Sequence, residues 1–225
     1  MTTKQQLPKI EHFKAVIYDM DGVLIDSEPL WKIAMETVFG RYGSTLDKQD
    51  FQKTVGLRID EVIHFWNLHE GWGLQDEKQV AQEIISTLIA LIKEQPQELK
   101  GVSESLAYFK SKGLKIGLAT SSSELLIKTV LSALHLESYF DFTYSAEHEP
   151  FGKPHPGVYL KVAQELQVKA QACLVIEDSW NGVLAGLAAR MKVCCIPEKT
   201  HLPHPNLVVA DYHFENLTEL VAALG

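Results

Sequence analysis

One short segment near the N-terminus, Ala15–Asp26, constrains this sequence more than any other. It begins with the apolar run AVIY and continues with Asp19 and Asp21, one residue apart, followed by Gly22. A run of this length fits a buried strand, and a glycine directly after it permits a tight turn. Two carboxylates at one strand end repel each other unless a cation or a defined proton arrangement separates them. The segment therefore predicts a strand that ends at a functional site.

Beyond position 100, apolar strand-like segments alternate with helical ones. The predicted strands are Leu114–Ala119, Phe140–Ser145, Leu174–Ile176 and Lys192–Ile196. The predicted helices are Ser103–Lys112, Ser123–Leu134, His155–Leu166, Ser179–Arg190 and Glu215–Leu224. Strands that alternate with helices and are apolar throughout are typical of a parallel sheet covered on both faces. The sequence therefore predicts an α/β fold with a doubly wound parallel sheet.

The residues between the first strand and this alternation show a helical pattern only. Apolar residues recur at helical spacing in Glu28–Gly43, near Arg58–Glu70 and in Asp76–Glu94, and Asp76 is suited to capping the third helix. The pattern ends near Gln95, where a proline and a later glycine indicate a linker. We expect residues 27–100 to form an α-helical cap domain inserted into a catalytic core of residues 1–26 and 101–225.

The overall composition limits the partners and the environment of the chain. Its 225 residues carry a net charge of -8 and include 46% hydrophobic residues, which suits a globular protein with a sizeable core. The negative charge argues against nucleic acid, because binding the phosphate backbone needs a basic surface. No apolar run reaches the roughly 18 residues of a membrane span, and no signal-peptide pattern is present. We expect a cytoplasmic monomer in which Cys173, Cys194 and Cys195 are buried, reduced thiols.

Polar side chains follow four of the predicted strands. The carboxyl ends of parallel strands meet at one edge of an open sheet, where helix N-termini also converge. The residues expected at that edge are Asp19, Asp21, Thr120, Ser121, Lys153, Glu177 and Asp178. Each alone has an ordinary explanation as a helix cap or a surface turn. Their shared placement predicts a single functional site.

The acidic residues of this set suit phosphate-ester hydrolysis. Asp19 and Asp178, together with backbone and water oxygens, suit Mg²⁺, a hard cation that prefers carboxylates. Once the cation offsets the repulsion between carboxylate and phosphate, Asp19 can attack phosphorus and form an aspartyl-phosphate. Asp21 is placed to protonate the leaving oxygen and later to deprotonate the attacking water.

Further side chains are expected to bind the phosphate and the substrate. Thr120, Ser121 and Lys153 would hold the phosphoryl oxygens through hydroxyl, backbone N–H and ammonium groups. We expect Glu177 to bind either a metal-bound water or the ammonium group of Lys153 without contacting the substrate itself.

Two residues are candidates for the rim of the site. Arg58 lies at a turn into a predicted helix of the cap, and it either contacts a sugar hydroxyl or the phosphate of the substrate or is a solvent-exposed residue at the helix start. Asn181 lies three residues after Asp178, and we expect it to support the metal site and shape its rim.

Four segments resemble the ordered motifs of the haloacid dehalogenase (HAD) superfamily. They are DMDGVLIDSEPLW, LATSSS, GKPHPGVY and VIEDSWNG, spread from Asp19 to Gly182. The resemblance is to the β-phosphoglucomutase-like subgroup with an α-helical cap, and within it to 2-deoxyglucose-6-phosphate and hexitol phosphatases. It implies a Rossmann-like core and a small sugar or polyol phosphate as substrate. It also implies Asp19 as the nucleophile, Asp21 as the acid/base and as a backbone ligand of Mg²⁺, and Asp178 as a metal ligand.

The residue at position 31 bears on the choice between hydrolysis and transfer. Mutases of the subgroup commonly carry a histidine where this chain has Trp31. Because an indole cannot replace an imidazole, we interpret Trp31 as a packing residue at the hinge and expect water as the acceptor. A β-phosphoglucomutase-like phosphotransferase is the alternative. A phosphoacceptor signalling domain is a more distant one, because such domains are shorter and lack a helical block after their first strand.

Overall fold

The centre of the molecule is a parallel β-sheet. The computed structural model describes residues 10–47, 50–197 and 204–225, so the remaining parts of the predicted core and cap, residues 1–9, 48–49 and 198–203, lie outside the described residues. The strands are β1 (Ala15–Tyr18), β2 (Lys115–Thr120), β3 (Phe142–Ser145), β4 (Cys173–Glu177), β5 (Lys192–Cys195) and β6 (Tyr212–His213). Their order in the sheet is β3-β2-β1-β4-β5-β6, and every neighbouring pair is parallel.

The helices account for most of the remaining secondary structure. They are α1 (Glu28–Phe39), α2 (Ile59–Glu70), α3 (Glu77–Glu94), α4 (Val102–Ser111), α5 (Glu124–Leu134), α6 (Gly157–Glu165), α7 (Trp180–Ala188) and α8 (Leu217–Leu224). Side-chain caps fix several of their starts, since the Asp76 carboxylate accepts a hydrogen bond from the Gln79 N–H at 3.0 Å and the Ser179 hydroxyl accepts one from the Gly182 N–H at 3.1 Å.

Helices cover both faces of the sheet. Alternate residues of β1 belong to opposite packing clusters: Val16 and Tyr18 join a cluster with side chains of α1–α5 and α8, whereas Ala15 and Ile17 join one with side chains of α6 and α7. All four residues are fully buried. The sheet is therefore doubly wound, which confirms the predicted fold class.

Helices α1–α3 are inserted between β1 and α4, and α3 packs against both α1 and α2. The chain leaves and re-enters the core along two paired segments, in which the Asp26 N–H donates to the Gln97 carbonyl at 3.0 Å and the Leu99 N–H donates to the Leu24 carbonyl at 3.1 Å. The division into a cap of residues 27–100 and a core stays a prediction. None of the helices in the described ranges is long and apolar enough to cross a membrane.

Candidate active site

A cavity of about 80 Å³ lies where β1, β2 and β4 end. Six of the predicted site residues line it: Asp19, Asp21, Thr120, Ser121, Lys153 and Asp178. Its other side is formed mainly by apolar residues of the inserted helical region: Trp31, Met35, Phe51, Val55, Leu57 and Val62. The cavity therefore lies at the strand ends, where the sequence predicts a functional site.

Asp19 lies at the bottom of the cavity. It follows β1 directly, and its N–H donates to the Ile176 carbonyl of β4 at 2.9 Å, so the strand ladder fixes its position beside Glu177. Its Oδ1 accepts a hydrogen bond from Lys153 Nζ at 2.8 Å. Burial raises the pKa of Asp19 to about 7, against the lowering effect of Lys153, and the carboxylates of Glu177 and Asp21 raise it further. A divalent cation bound beside Asp19 would therefore favour its ionised form.

Glu177 anchors Lys153. Lys153 Nζ donates to Glu177 Oε1 at 2.6 Å and to Asp19 Oδ1 at 2.8 Å, and the two carboxylates raise the pKa of Lys153 although burial lowers it. Glu177 Oε1 also accepts from the Tyr159 hydroxyl at 2.6 Å. Its Oε2 accepts from the backbone N–H groups of Asp178 and Ser179 and from the Ser179 hydroxyl, at 3.0 to 3.1 Å. Of the two roles expected for Glu177, the geometry matches the one that holds Lys153.

Tyr159 is a member of this network that the sequence reasoning did not identify. It is fully buried in α6, and its ring lies 4.9 Å from Lys153 Nζ. In the sequence it has the position of an ordinary core aromatic residue on a predicted helix. Only the tertiary structure shows that its hydroxyl faces a buried carboxylate.

The carboxylate of Asp21 accepts three hydrogen bonds. Ser27 Oγ and Trp31 Nε1 donate to Oδ1 at 2.6 and 3.0 Å, and Ser122 Oγ donates to Oδ2 at 2.7 Å. The interpretation of Trp31 as a packing residue alone was therefore wrong, because an indole N–H is a hydrogen-bond donor. Consequently the absence of a histidine at position 31 no longer argues by itself for hydrolysis over transfer.

The acidic cluster fits a hard divalent cation. Carboxylate oxygens of Asp19, Glu177 and Asp178 lie within 4.8 Å of one another. Asp178 is 8% exposed, and its carboxylate accepts no hydrogen bond from the described residues. Burial, followed by the charges of Glu177 and Asp19, raises the pKa of Asp178 well above its usual range. Because hydrogen bonds already occupy both oxygens of Glu177, Asp19 and Asp178 are the carboxylates with capacity to bind Mg²⁺.

Gly22 allows the loop after β1 to pass this cluster. It has a φ of +73°, a backbone conformation that favours glycine, and a β-carbon there would overlap Asp178 Oδ2. A side chain at position 22 would therefore displace a predicted metal ligand.

The other predicted site residues contact the inserted helical region or the backbone. Thr120 Oγ1 accepts from the Ser122 N–H at 3.1 Å, which orients this buried hydroxyl at the cavity. Ser121 lines the cavity, but its hydroxyl donates to the Gly56 carbonyl at 2.9 Å. Asn181 donates through Nδ2 to the Val55 carbonyl at 3.1 Å. The side chains of Ser121 and Asn181 thus connect the core to the segment before α2.

Arg58 lies away from the cavity, although it was a candidate for its rim. It is not among the residues that line the cavity. Its Nη1 donates to the backbone carbonyls of Ala146 and Glu149, at 3.1 and 2.8 Å, in the loop after β3. In this arrangement the guanidinium is hydrogen-bonded to the protein backbone, and a contact between Arg58 and the substrate stays a prediction.

A parallel α/β core with an aspartate pair, a lysine and a carboxylate cluster at its strand ends defines a class of hydrolytic enzymes. Comparison with known proteins makes the assignment specific, because residues 16–196 match the model of the haloacid dehalogenase-like hydrolase family. The chain belongs to this family, which confirms the resemblance predicted from the four motifs.

Several relatives are named phosphatases. Hexitol phosphatase B of Escherichia coli strain K12 is 40% identical over 209 residues, which cover 92% of this chain and 94% of the relative. A phosphorylated carbohydrates phosphatase of Thermotoga maritima is 36% identical over 181 residues, which cover 78% and 81%. Among solved structures, β-phosphoglucomutase from Clostridium difficile is similar with a TM-score of 0.82 and 27% identity, covering 92% of this chain and 93% of that one. Family and relatives agree with a phosphoric monoester hydrolase.

Proposed function

We propose that the protein is a Mg²⁺-dependent phosphatase that hydrolyses small sugar or polyol phosphates through an aspartyl-phosphate. The observation that carries the proposal is the different surroundings of two carboxylates two residues apart. Asp19 is buried against an ammonium group, whereas neutral donors hold Asp21. The first environment suits a nucleophile, and in the second the three donors orient a carboxyl group that can give and take a proton.

The first half of the reaction transfers the phosphoryl group to the enzyme. Lys153 and the Thr120 hydroxyl hold the phosphoryl oxygens at the cavity floor. A carboxylate oxygen of Asp19 attacks phosphorus, and a new P–O bond forms as the bond from phosphorus to the sugar oxygen breaks. Asp21, protonated at this stage, gives its proton to the departing oxygen, so the sugar leaves as a neutral alcohol.

The second half regenerates the enzyme. Asp21, now a carboxylate, takes a proton from a water molecule that attacks phosphorus. The bond between phosphorus and the Asp19 oxygen breaks, which releases inorganic phosphate and restores both residues to their starting states. The three donors around Asp21 keep its carboxylate facing the cavity in both halves.

Asp19 and Asp178 would hold Mg²⁺, with a backbone carbonyl of Asp21 as a further ligand that the family resemblance implies. When bound, the ion offsets the repulsion between the carboxylate of Asp19 and the phosphate. Glu177 supports the site through Lys153 and through the backbone of Asp178.

The test of this function is the substitution Asp19→Asn. The wild-type protein is expected to release phosphate from 2-deoxyglucose-6-phosphate or a hexitol phosphate with Mg²⁺, and to stop when Mg²⁺ is chelated. Asp19→Asn removes the nucleophilic charge at nearly constant volume, so turnover should be lost while the circular dichroism spectrum is unchanged. Retained hydrolysis in this variant would contradict the aspartyl-phosphate route.

A phosphotransferase of the β-phosphoglucomutase kind is the second candidate. The hydrogen bond from Trp31 to Asp21 removes the argument against it, and the structural similarity favours it. Supplying β-glucose-1-phosphate separates the two functions. A phosphatase releases inorganic phosphate from it, whereas a mutase converts it to glucose-6-phosphate.

A further inference from the structure

The segment that precedes and begins α2, Val55–Glu61, lies across the loops that follow three core strands. After β2, Ser121 Oγ donates to the Gly56 carbonyl at 2.9 Å, and after β4, Asn181 Nδ2 donates to the Val55 carbonyl at 3.1 Å. The loop after β3 is bound by two charged side chains, Arg58 and Glu61. This third contact differs from the others because the loop leads directly to Lys153.

Arg58 binds the beginning of that loop. Its Nη1 donates to the carbonyls of Ala146 and Glu149 at 3.1 and 2.8 Å, and its Nη2 pairs with Asp60 at 2.9 Å. The side chain is 14% exposed, so these bonds form largely out of solvent. Hydrogen bonds from a charged donor are stronger than neutral ones, which makes this contact more than incidental packing.

Glu61 binds the end of the same loop. Its Oε1 accepts from the Gly152 N–H at 3.2 Å, and its Oε2 accepts from the Arg58 N–H at 3.1 Å. The absence of a side chain at Gly152 permits this approach, because a β-carbon there would lie 2.5 Å from Glu61 Oε2. Gly152 immediately precedes Lys153, whose ammonium group contacts Asp19.

We propose that Arg58 and Glu61 are positioning residues, which hold both ends of the segment Ala146–Gly152 and thereby place Lys153 against Asp19. They touch neither the phosphate nor the leaving group and act on the reaction through Lys153. The proposal rests on the proposed phosphatase function. It is an alternative to both roles considered for Arg58 from the sequence, substrate contact and a solvent-exposed position at the helix start.

Two substrates, one with a sugar and one without, distinguish a positioning role of Arg58 from a direct contact with the sugar. With Arg58→Ala, kcat is expected to fall by the same factor, roughly tenfold or more, on 2-deoxyglucose-6-phosphate and on acetyl phosphate, because both need Lys153 in place. If Arg58 instead contacted the sugar, KM for the sugar phosphate would rise and turnover of acetyl phosphate would be unchanged. That second result would overturn the proposal.

Substitutions of Glu61 test whether the two residues act together. Glu61→Ala removes the acceptor for the Gly152 N–H and should reduce kcat on both substrates, whereas Glu61→Gln keeps an acceptor and should restore most of the turnover. The double variant Arg58→Ala/Glu61→Ala should lose no more than the larger single loss, since both act on one segment. Additive losses would contradict a shared role.

Arg41→Ala is the matched control. Arg41 pairs with Glu83 at 2.8 Å on the exposed surface of the helical region, with 58% of its side chain exposed. Its removal should leave both activities unchanged, and thermal unfolding of each variant shows whether the fold is retained.

Amide hydrogen exchange of the peptide spanning residues 146–152 tests the structural part without turnover. Exchange should become faster in Arg58→Ala and Glu61→Ala and stay unchanged in Arg41→Ala. If the wild type hydrolyses neither substrate, the proposed function is wrong. If hydrogen exchange is unchanged in Arg58→Ala and Glu61→Ala, the positioning role is wrong.

Discussion

Asp19 and Asp21 are two residues apart, yet their carboxylates are held by different parts of the chain. Lys153 binds Asp19, whereas Ser27, Trp31 and Ser122 bind Asp21. The sequence predicted the two carboxylates and their place at a strand end, because both follow from a local pattern. It could not predict the donors around Asp21, since these depend on how the start of the inserted helical region and the loop after β2 pack at the strand ends.

The role of Trp31 can be measured through its N–H group. Trp31→Phe keeps an aromatic ring but removes the donor to Asp21 Oδ1, and hydrogen bonds to charged groups are worth about 1.5–3 kcal/mol. We expect kcat to fall roughly tenfold or more, with a smaller effect on KM, because 1.4 kcal/mol corresponds to about tenfold in rate. Steady-state kinetics on a sugar phosphate provides the measurement.

Trp72→Phe is the control for this variant. Trp72 packs against Phe39 with ring centroids 4.8 Å apart, and it does not line the cavity. If the two substitutions reduced kcat equally, Trp31 would contribute packing only.

At the scale of elements, the strands and helices of the core follow the predicted alternation closely, because long apolar runs and helical spacing are strong local signals. Strand β6 was missed, since two residues are too few to form a pattern. The predicted helix Glu28–Gly43 is α-helical only to Phe39 and continues as a 3₁₀-helix over Gly40–Tyr42. Over only three residues, the spacing of apolar side chains does not distinguish an α-helix from a 3₁₀-helix.

The strands β4 and β5 bury three thiols, as predicted. Cys173, Cys194 and Cys195 are fully buried, and burial raises the pKa of Cys173 to about 12 from an ordinary value of 9.0. The folded protein should therefore not react with a thiol reagent such as Ellman's reagent at about pH 8, because the thiolate is the nucleophile. All three thiols should react once the protein is unfolded in urea.

The same shift is expected to make folding stability depend on pH in alkaline solution. A thiol whose pKa is raised by folding favours the folded state fully below its unfolded pKa of 9.0, and this contribution is lost as the pH rises towards about 12. The midpoint of urea unfolding should decrease over that interval. Fast labelling of a thiol in the folded state would contradict the burial of these strands.

At the scale of the whole molecule, residues from distant parts of the chain form one site because parallel strands end at the same edge of the sheet. That rule was sufficient to predict Asp19, Thr120, Lys153 and Asp178 together from the sequence. The same rule was not sufficient for Arg58. The orientation of its side chain depends on how the inserted helical region packs against the loop after β3. Contacts between segments that are distant in the chain leave no periodic signal in a sequence.

Mg²⁺ should stabilise the whole molecule in a pH-dependent manner. The raised pKa of Asp19, about 7, means that without metal its contribution to stability is present at low pH and is lost as the pH rises through about 7. Mg²⁺ binds ionised carboxylates, so its stabilising effect should grow over the same interval. At 100 times the dissociation constant the stabilisation is about 2.7 kcal/mol, which raises Tm by roughly 5–10 °C.

Thermal unfolding with Mg²⁺ and with a chelator, at about pH 5.5 and about pH 8, measures this effect. Asp178→Asn is the control, because it removes one predicted ligand at nearly constant size. A shift of equal size in the wild type and in this variant would argue against the acidic cluster as the Mg²⁺ site.

The buried Glu177 also limits which residue can occupy position 182 in α7. A β-carbon at Gly182 would overlap Glu177 Oε1, so the helix approaches the carboxylate only because position 182 has no side chain. The missing side chain of Gly182 thus leaves the space that the carboxylate of Glu177, five residues earlier, occupies. Evolutionary change at the two positions is therefore expected to be coupled, since a side chain at position 182 requires a smaller residue at position 177, and with it another way of anchoring Lys153.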